Sequence, residues 1–265
     1  MKKIVAYGCG SPIRLPIVQA LAIGASADKF IANENPRYLG GDSIIWGLIR
    51  GASEIMTQTN LSGNDYFQID NAYFGRNIYF RVTLNALQLN NLPRTVINNR
   101  YKLIFNQIGK SIQGWKKIRN GPIVVCPSSN FLYKYMGTTL ECWIESVIEE
   151  IRKYTSRQIV IRYKEIMPKD DIDDSIKDAW CLVTHVSASA LDALRLGIPI
   201  VTTSACAASA LATSIENIES PYQGEGREEL FSLLANGQFT PEEMLKVDVL
   251  DTVREISQKI KINNI

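Results

Sequence analysis

Short apolar runs bounded by turn residues alternate with longer amphipathic segments along most of the chain. Runs of about four to eight apolar residues predict buried strands, and apolar residues spaced three and four positions apart predict helices. The predicted strands are Lys3–Tyr7, Phe30–Ala32, Tyr66–Ile69, Ile78–Leu84, Pro122–Cys126, Gln158–Arg162, Cys181–Thr184 and Ile200–Thr203. The predicted helices are Ile13–Ile23, Ser43–Gly51, Ala52–Gln58, Leu103–Trp115, Thr139–Tyr154, Ala190–Leu196, Glu228–Ala235 and Glu242–Lys261.

The repeated order of strand and then helix predicts the fold class. Such units form parallel sheets with helices on both faces, and 265 residues are enough for two of them. We therefore predict an α/β fold in which two Rossmann-like, doubly wound parallel sheets face a cleft. The expected domains are an N-terminal lobe, residues 1–120, and a C-terminal lobe, residues 121–265. The last helices of the C-terminal lobe could pack on the N-terminal lobe.

Composition limits the environment and the chemistry. No apolar run approaches the roughly 20 residues of a membrane span, and the first residues lack the apolar segment of a signal peptide. Five scattered cysteines indicate reduced thiols and hence a cytoplasmic protein. No metal is expected, because the chain has one histidine and no Cys-x-x-Cys pair. The acidic pairs Asp170-Asp171 and Asp173-Asp174 fit a helix start, where the helix dipole favours them.

The turn after the predicted strand Cys181–Thr184 is the strongest candidate binding site. Ser187 and Ser189 lie where the next helix begins, so their hydroxyls join its unpaired N–H groups and the positive end of its dipole. The preceding predicted strand delivers Arg162 and Lys164 to its carboxyl end, and we expect the two strands to be neighbours. Ligands of open parallel sheets bind outside these ends, so the residues predict a phosphate or diphosphate site. The alternative is that the serines only cap the helix.

The residues Thr184–Val201, T-H-V-S-A-S-A-L-D-A-L-R-L-G-I-P-I-V, resemble the donor-binding half of GT-B glycosyltransferases, and of the related UDP-sugar 2-epimerases and capsule-type transferases. The resemblance covers about Ile123–Tyr222. It implies a compact GT-B-like fold, a nucleotide-sugar co-substrate and no permanently bound cofactor. It also implies that the donor phosphates contact Arg162 and the serine-rich turn, and that Asp192 binds the ribose. His185, on the same turn, is expected to contact the donor phosphate or sugar.

The resemblance defines the donor and the acceptor less closely. Many relatives have His-Pro after the basic strand end, where this chain has Tyr163 and Lys164. The base and the sugar of the donor therefore stay open, and a UDP-sugar is the expected donor. The segment Leu234–Met244, L-A-N-G-Q-F-T-P-E-E-M, is similar to a closing segment of transferase-like proteins of phage genomes. This similarity implies a DNA-modifying enzyme of the phage kind, acting in the host cytoplasm.

Charge is distributed unevenly along the chain. From Asn71 to Leu140 there is no Asp or Glu but there are ten Arg and Lys residues, and the whole chain carries +2, so the remainder carries −8. A basic segment interleaved with aromatic residues suits contact with nucleic acid. The expected contacts to the acceptor or to nucleic acid are Tyr73, Arg76, Arg81, Lys116, Lys117 and Arg119. The alternative is that these cations form a solvated basic face. In either case the charge distribution is an argument about partners and not about fold.

Asp70 is the candidate catalytic base. The predicted strand Tyr66–Ile69 presents it at the carboxyl end, beside aromatic residues and facing the cleft. A carboxylate there could take the proton of an acceptor hydroxyl. The alternatives are that Asp70 begins a turn, or that it pairs with Arg76 or Arg81 and only orders the loop.

These features together predict a glycosyltransferase, of the hexosyl or pentosyl kind, that moves a sugar from a nucleotide sugar to a hydroxyl. The basic N-terminal lobe is expected to bind the acceptor, and the C-terminal lobe to bind the nucleotide sugar. The favoured acceptor is a hydroxymethylated base in DNA, which would have to leave the base stack to react. Two alternatives remain open. One is a transferase acting on a surface glycan or a small metabolite, and the other is a non-catalytic sugar-nucleotide-fold module that binds DNA or protein.

Overall fold

A computed structural model describes residues 2–9, 12–164, 171–246 and 248–262. The strands are β1 (Ile4–Tyr7), β2 (Lys29–Ile31), β3 (Asp42–Trp46), β4 (Tyr66–Asn71), β5 (Phe80–Leu84), β6 (Ile123–Val125), β7 (Ile159–Ile161), β8 (Cys181–Thr184), β9 (Ile200–Thr202) and β10 (Gln238–Phe239). The helices are α1 (Leu15–Gly24), α2 (Ala52–Leu61), α3 (Arg100–Gln107), α4 (Asn130–Tyr135), α5 (Leu140–Arg152), α6 (Ile172–Ile176), α7 (Ser189–Arg195), α8 (Arg227–Asn236), α9 (Pro241–Leu245) and α10 (Val249–Ile262).

The chain divides into two compact units. The first unit consists of Met1–Leu89, Ile97–Ile104 and Ser232–Ile265, and the second of Asn90–Val96 and Phe105–Phe231. The C-terminal helices α9 and α10 therefore belong to the same unit as the N-terminal strands.

The first unit is built around a six-stranded sheet in the order β10-β5-β4-β3-β1-β2. Strands β1 to β4 are mutually parallel, β5 is antiparallel to β4, and β10 is antiparallel to β5. Successive side chains of a strand point to opposite faces, and both faces are covered here. Ile44 belongs to a core with residues of α1, α9 and α10, whereas Ile45 packs with Tyr7 and residues of α2.

The predicted helix Ser43–Gly51 is wrong, because β3 occupies its first part. All five residues of β3 are buried, since the strand lies between β1 and β4 with helices on both faces. A strand buried on both faces reads as a continuous apolar run. Periodicity alone cannot distinguish such a run from a piece of buried helix.

The second unit contains a four-stranded sheet in the order β7-β6-β8-β9, and all of its strand pairs are parallel. β6 is the first of these strands in the chain, and it pairs with both β7 and β8. Ile123, Val125 and Val183 pack against Val147 and Ile151 of α5. The apolar face of this amphipathic helix therefore closes one side of the sheet.

The predicted fold class, α/β with two Rossmann-like sheets, is confirmed. The antiparallel edge of the first sheet is an addition, because β10 is a two-residue strand that no periodicity reveals. The short helix α4 was not predicted, whereas α6 begins at the acidic residues that indicated a helix start. The predicted helix Glu242–Lys261 is two helices, α9 and α10, and Asp248 at the break between them has a left-handed φ of 81° that no helix interior accommodates.

Candidate functional site

The carboxyl edge of the second sheet contains a topological switch point. From β6 the chain passes to β7 on one side and then to β8 on the other. In open α/β sheets, ligands bind in the crevice that forms where the strand order reverses in this way. The expectation that the strand bearing Arg162 neighbours the strand before Ser187 is wrong, because β6 lies between β7 and β8 and pairs with both.

The turns after β6 and β8 meet at this edge and are joined by hydrogen bonds. The Thr184 hydroxyl donates to the Cys126 carbonyl at 2.5 Å and accepts the Ser187 N–H at 3.3 Å. The Val186 N–H donates to the Ser128 hydroxyl at 3.1 Å. Ser128 and Thr184 are missing from the predicted site. The polar run C-P-S-S directly after a buried strand was the signal that could have indicated the first of them.

The two serines of the predicted phosphate site have different surroundings. The Ser187 hydroxyl accepts the Ser189 N–H at 3.3 Å, which is a local role that serine often has in turns. The Ser189 hydroxyl is buried and makes no hydrogen bond of ordinary geometry to the described residues. It lies near enough to the Cys126 thiol to lower the pKa of that thiol, but a thiol is a weak partner. A local turn bond therefore accounts for Ser187 in part, whereas no such bond accounts for the Ser189 hydroxyl, and α7 has no side-chain cap.

Asp192 lies one helical turn after Ser189, on the same face of α7. Burial raises the pKa of its carboxyl to about 7, and the charge of Arg195 only partly opposes this rise. Arg195 is itself paired with Asp173, which also binds Lys110 at 2.6 Å. The Asp192 carboxylate forms no hydrogen bond or salt bridge within the described part of the chain.

Arg162 and Asp192 act on the same thiol, that of Cys126. Burial raises the pKa of Cys126 to about 11, while the Arg162 guanidinium lowers it and the Asp192 carboxylate raises it further. Both charges therefore stand within electrostatic reach of the turn after β6. Arg162 also donates its backbone N–H to the Val125 carbonyl at 2.9 Å, which fixes the end of β7 beside β6. Lys164 is exposed.

His185 lies in a buried aromatic cluster, and only 7% of the residue is exposed. Its Nδ1 is 2.8 Å from the Thr203 hydroxyl, and its Nε2 is 3.3 Å from the Met136 sulfur. A thioether only accepts hydrogen bonds, so the neutral ring carries its proton on Nε2 and accepts at Nδ1. Tyr133 and Trp143 contact the ring, and burial lowers the pKa of His185. The ring nitrogens are therefore engaged inside the unit.

The predicted acceptor contacts of the first unit have mixed exposure. Tyr73 is buried, and its hydroxyl accepts the Leu89 N–H at 2.7 Å. Arg76 is exposed, whereas the Arg81 side chain is only 11% exposed. Arg81 pairs with Asp70 at 2.7 Å, directly across the strand pair β4 and β5. Asp70, the predicted base, thus has an arginine partner.

The remaining predicted acceptor contacts lie in the second unit. Lys116 donates to the Lys177 carbonyl at 2.7 Å. Lys117 and Arg119 are exposed. The six predicted contacts are therefore divided between the two units.

No group of three or more His, Cys, Asp or Glu side chains that could hold a metal ion occurs among the described residues. Asp171 caps α6, because its side chain accepts the Asp173 N–H at 3.2 Å. Asp170 lies outside the described residues. None of the helices in the described ranges has the length and apolar character to cross a membrane.

The chain is similar to known proteins in structure but not detectably in sequence. No family model matches it, and no curated protein does. A solved structure titled KpsC, beta Kdo 2,7 transferase, of Thermosulfurimonas dismutans superposes with a TM-score of 0.57 at 13% identity, covering 98% of this chain and 99% of that chain. The beta Kdo 2,4 transferase of the same KpsC gives a TM-score of 0.53 at 11% identity, covering 96% and 97%. At these identities the likeness shows the fold, which is that of glycosyltransferase structures. Neither of these two structures is titled as a DNA-modifying enzyme.

Proposed function

We propose that this protein is a glycosyltransferase whose second unit holds a nucleotide-sugar donor at the carboxyl edge of β6 and β8. The observation that carries the proposal lies on one face of α7, where the buried Ser189 hydroxyl has no ordinary partner and the half-buried Asp192 carboxylate forms no hydrogen bond or salt bridge within the described residues. Buried polar groups in native proteins nearly always have partners. The Ser189 hydroxyl at a switch point, with the half-buried Asp192 carboxylate one turn away, therefore favours a ligand that supplies the missing hydrogen bonds.

The charges beside these groups suit a nucleoside diphosphate. The Arg162 guanidinium is a donor for phosphate oxygens, and it would neutralise the leaving group as its charge develops. Asp192, with a pKa of about 7, can accept or donate a hydrogen bond to a ribose hydroxyl. Lys164, Ser187 and Ser189 complete the proposed donor site, with a UDP-sugar as the expected donor. His185 is left out of this proposed site because its ring nitrogens already have partners.

For the acceptor we propose a hydroxyl of a glycan. The similar structures are titled Kdo transferases, and a transferase of sugar to sugar requires no stacking platform for a flipped base. Asp70 is the proposed base, with Arg81 orienting its carboxylate. Cations of the basic segment would then attract an anionic acceptor.

A hydroxymethylated base in DNA is the second candidate acceptor. It is favoured by the 70-residue segment without acidic residues, in which Arg76, Lys117 and Arg119 are exposed. Phosphate contacts make binding strongly dependent on salt. Binding to duplex DNA that is equally weak at low and at moderate salt would remove this candidate.

The test is calorimetric binding of UDP, GDP and CMP, followed by release of nucleotide from the matching sugar donors with glycan or modified-DNA acceptors. We expect one nucleotide to bind, and both Arg162→Gln and Ser189→Leu to weaken its binding at least about tenfold. Arg152→Gln, the same change at an exposed arginine of α5, is the matched control. Unchanged affinity in Ser189→Leu would show that the donor binds elsewhere.

A further inference from the structure

We propose that Thr184 and Ser128 are positioning residues, whose hydroxyls hold the turn after β8 in the shape that the donor requires. The inference rests on the proposed function, because the ligand is the nucleotide part of the donor. Neither residue is proposed to contact it. Both hydroxyls bind main-chain groups inside the unit.

Thr184 joins the two turns through a single hydroxyl. It is the last residue of β8 and is fully buried. Its hydroxyl proton is directed to the Cys126 carbonyl in the turn after β6, and its lone pair accepts the Ser187 N–H in the turn after β8. Both partners are main-chain groups, so the bonds fix the course of the backbone and not only the side chains.

Ser128 holds the same turn from the other side. Its hydroxyl accepts the Val186 N–H, and its own N–H donates to the Tyr133 hydroxyl at 3.0 Å. Tyr133 is fully buried and stacks on Trp143 with ring centroids 5.5 Å apart. Ser128 is therefore held by a buried aromatic pair, and through its hydrogen bond to the Val186 N–H it restrains the turn after β8.

These bonds also limit how the site can bind an anion. The N–H groups of Val186 and Ser187 already have acceptors within the unit. These two N–H groups are therefore occupied, and we expect the side chains of Arg162 and Ser189 to supply donors to phosphate. Their placement depends on the backbone of the turn, and preorganised groups bind a ligand without an ordering cost.

The test compares Thr184→Val, Thr184→Ser and Ser128→Ala by calorimetry with the nucleotide that wild type binds most tightly among UDP, GDP and CMP. We expect Thr184→Val to weaken binding at least about tenfold and Ser128→Ala at least about fivefold, because buried main-chain groups lose a partner. Thr184→Ser restores the hydroxyl, so its affinity should stay within about twofold of wild type.

Thr59→Val is the matched control for a loss of stability without a change at the site. Thr59 belongs to the first unit, is fully buried, and bonds the Ile55 carbonyl and the Ser43 hydroxyl at 2.7 Å each. It should lower the melting temperature and leave nucleotide affinity unchanged. If both Thr184→Val and Ser128→Ala keep wild-type affinity, the positioning role is rejected while the proposed function stands. An equal loss of nucleotide affinity in Thr59→Val has the same consequence. Absence of nucleotide binding by wild type rejects the proposed function and this role with it. If Thr184→Val does not fold, Ser128→Ala carries the test.

Discussion

Two carboxylates, one in each unit, are in opposite chemical situations. Asp70 in β4 has a donor at each oxygen, the Asn71 N–H at 2.7 Å and Arg81 at 2.7 Å. Asp192 in α7 has neither a hydrogen bond nor a salt bridge within the described residues. The first carboxylate thus has a partner at each oxygen, although the Nε of Arg81 is buried without one among the described residues. The second belongs to a half-buried residue and has no such partner.

The surroundings of the two carboxylates differ in the same way. Gln238 of β10 lies opposite Arg81 of β5, and its fully buried side chain binds the main chain of Tyr73 and Phe74. Beside Asp192, the Ser189 hydroxyl makes no ordinary hydrogen bond to the described residues. A buried polar group with its hydrogen bonds made stabilises the fold, and one without them costs stability unless a ligand supplies them. The difference between the two units can therefore be measured as stability.

The largest expected effect is at Gln238. Its Oε1 accepts the N–H groups of Tyr73 and Phe74 at 3.0 and 3.3 Å, and its Nε2 donates to the Phe74 carbonyl at 2.9 Å. Gln238→Leu leaves these main-chain groups without that partner, so the free energy of unfolding should fall by about 3–4 kcal/mol in urea denaturation. Gln58→Leu, in a half-exposed side chain bonded only to Glu54, should cost less than about 0.5 kcal/mol. A loss below about 1 kcal/mol for Gln238→Leu would contradict the stabilising role of these three hydrogen bonds.

Asp192→Asn should change stability in the opposite direction to Gln238→Leu, because at pH 8 it should raise the free energy of unfolding. The pKa of about 7 lies above the ordinary value of 3.8, so the folded state holds a proton that the unfolded state has released. Wild-type stability should therefore fall as the pH rises from about 4 to 7, and the variant should lack this fall. At pH 8 we expect the variant to be more stable by about 2–3 kcal/mol, and at pH 4 the two should be equal. Destabilisation by Asp192→Asn at pH 8 would mean that the carboxylate has a cationic partner.

Local pattern was sufficient for several elements of the fold. β8 has the bounds that its apolar run predicted, Cys181–Thr184. The predicted helix Thr139–Tyr154 corresponds to α5, where Thr139 is the N-cap and its hydroxyl accepts the Cys142 N–H. These elements are defined by neighbours in the sequence, through burial of one face and through capping.

Long-range pairing accounts for what the sequence did not reveal. The position of β6 between β7 and β8 depends on strand order, which no local period encodes. The sequence offered Arg76 and Arg81 as partners of Asp70, and the register of β4 and β5 selects Arg81. The roles of Thr184 and Ser128 likewise require the two turns to meet. The sequence could therefore identify candidate residues at the carboxyl edge of the sheet, but it could not tell which of their polar groups already have hydrogen-bond partners.

Asp70→Asn tests the first carboxylate, and its expected effect on stability is smaller than those at Gln238 and Asp192. The amide still offers an oxygen to Arg81 but no charge, so we expect a loss of about 1–2 kcal/mol in the free energy of unfolding. If Asp70 is also the base, transfer to the acceptor should fall by at least about a hundredfold while nucleotide affinity is unchanged. Asp65→Asn, at the carboxylate that accepts a hydrogen bond from the Asn85 amide, is the control for charge alone. Undiminished transfer by Asp70→Asn would assign the proton to another acceptor.

The smallest expected effect on stability is that of His185. Over the same pH range, its pH dependence has the opposite sign to that of Asp192. Burial lowers the pKa of His185, and its described neighbours are Thr203, Met136, Tyr133 and Trp143, none of which is charged. The unfolded state therefore gains a proton before the folded state, so stability falls as the pH drops below about 6.5, by at most about 1.4 kcal/mol for each pH unit. His185→Gln in an Asp192→Asn background should remove this fall between pH 6.5 and 5. Because the chain has one histidine, its imidazole signals in a proton NMR titration are unambiguous, and a midpoint at or above about 6.5 would show that the ring is not held neutral by burial.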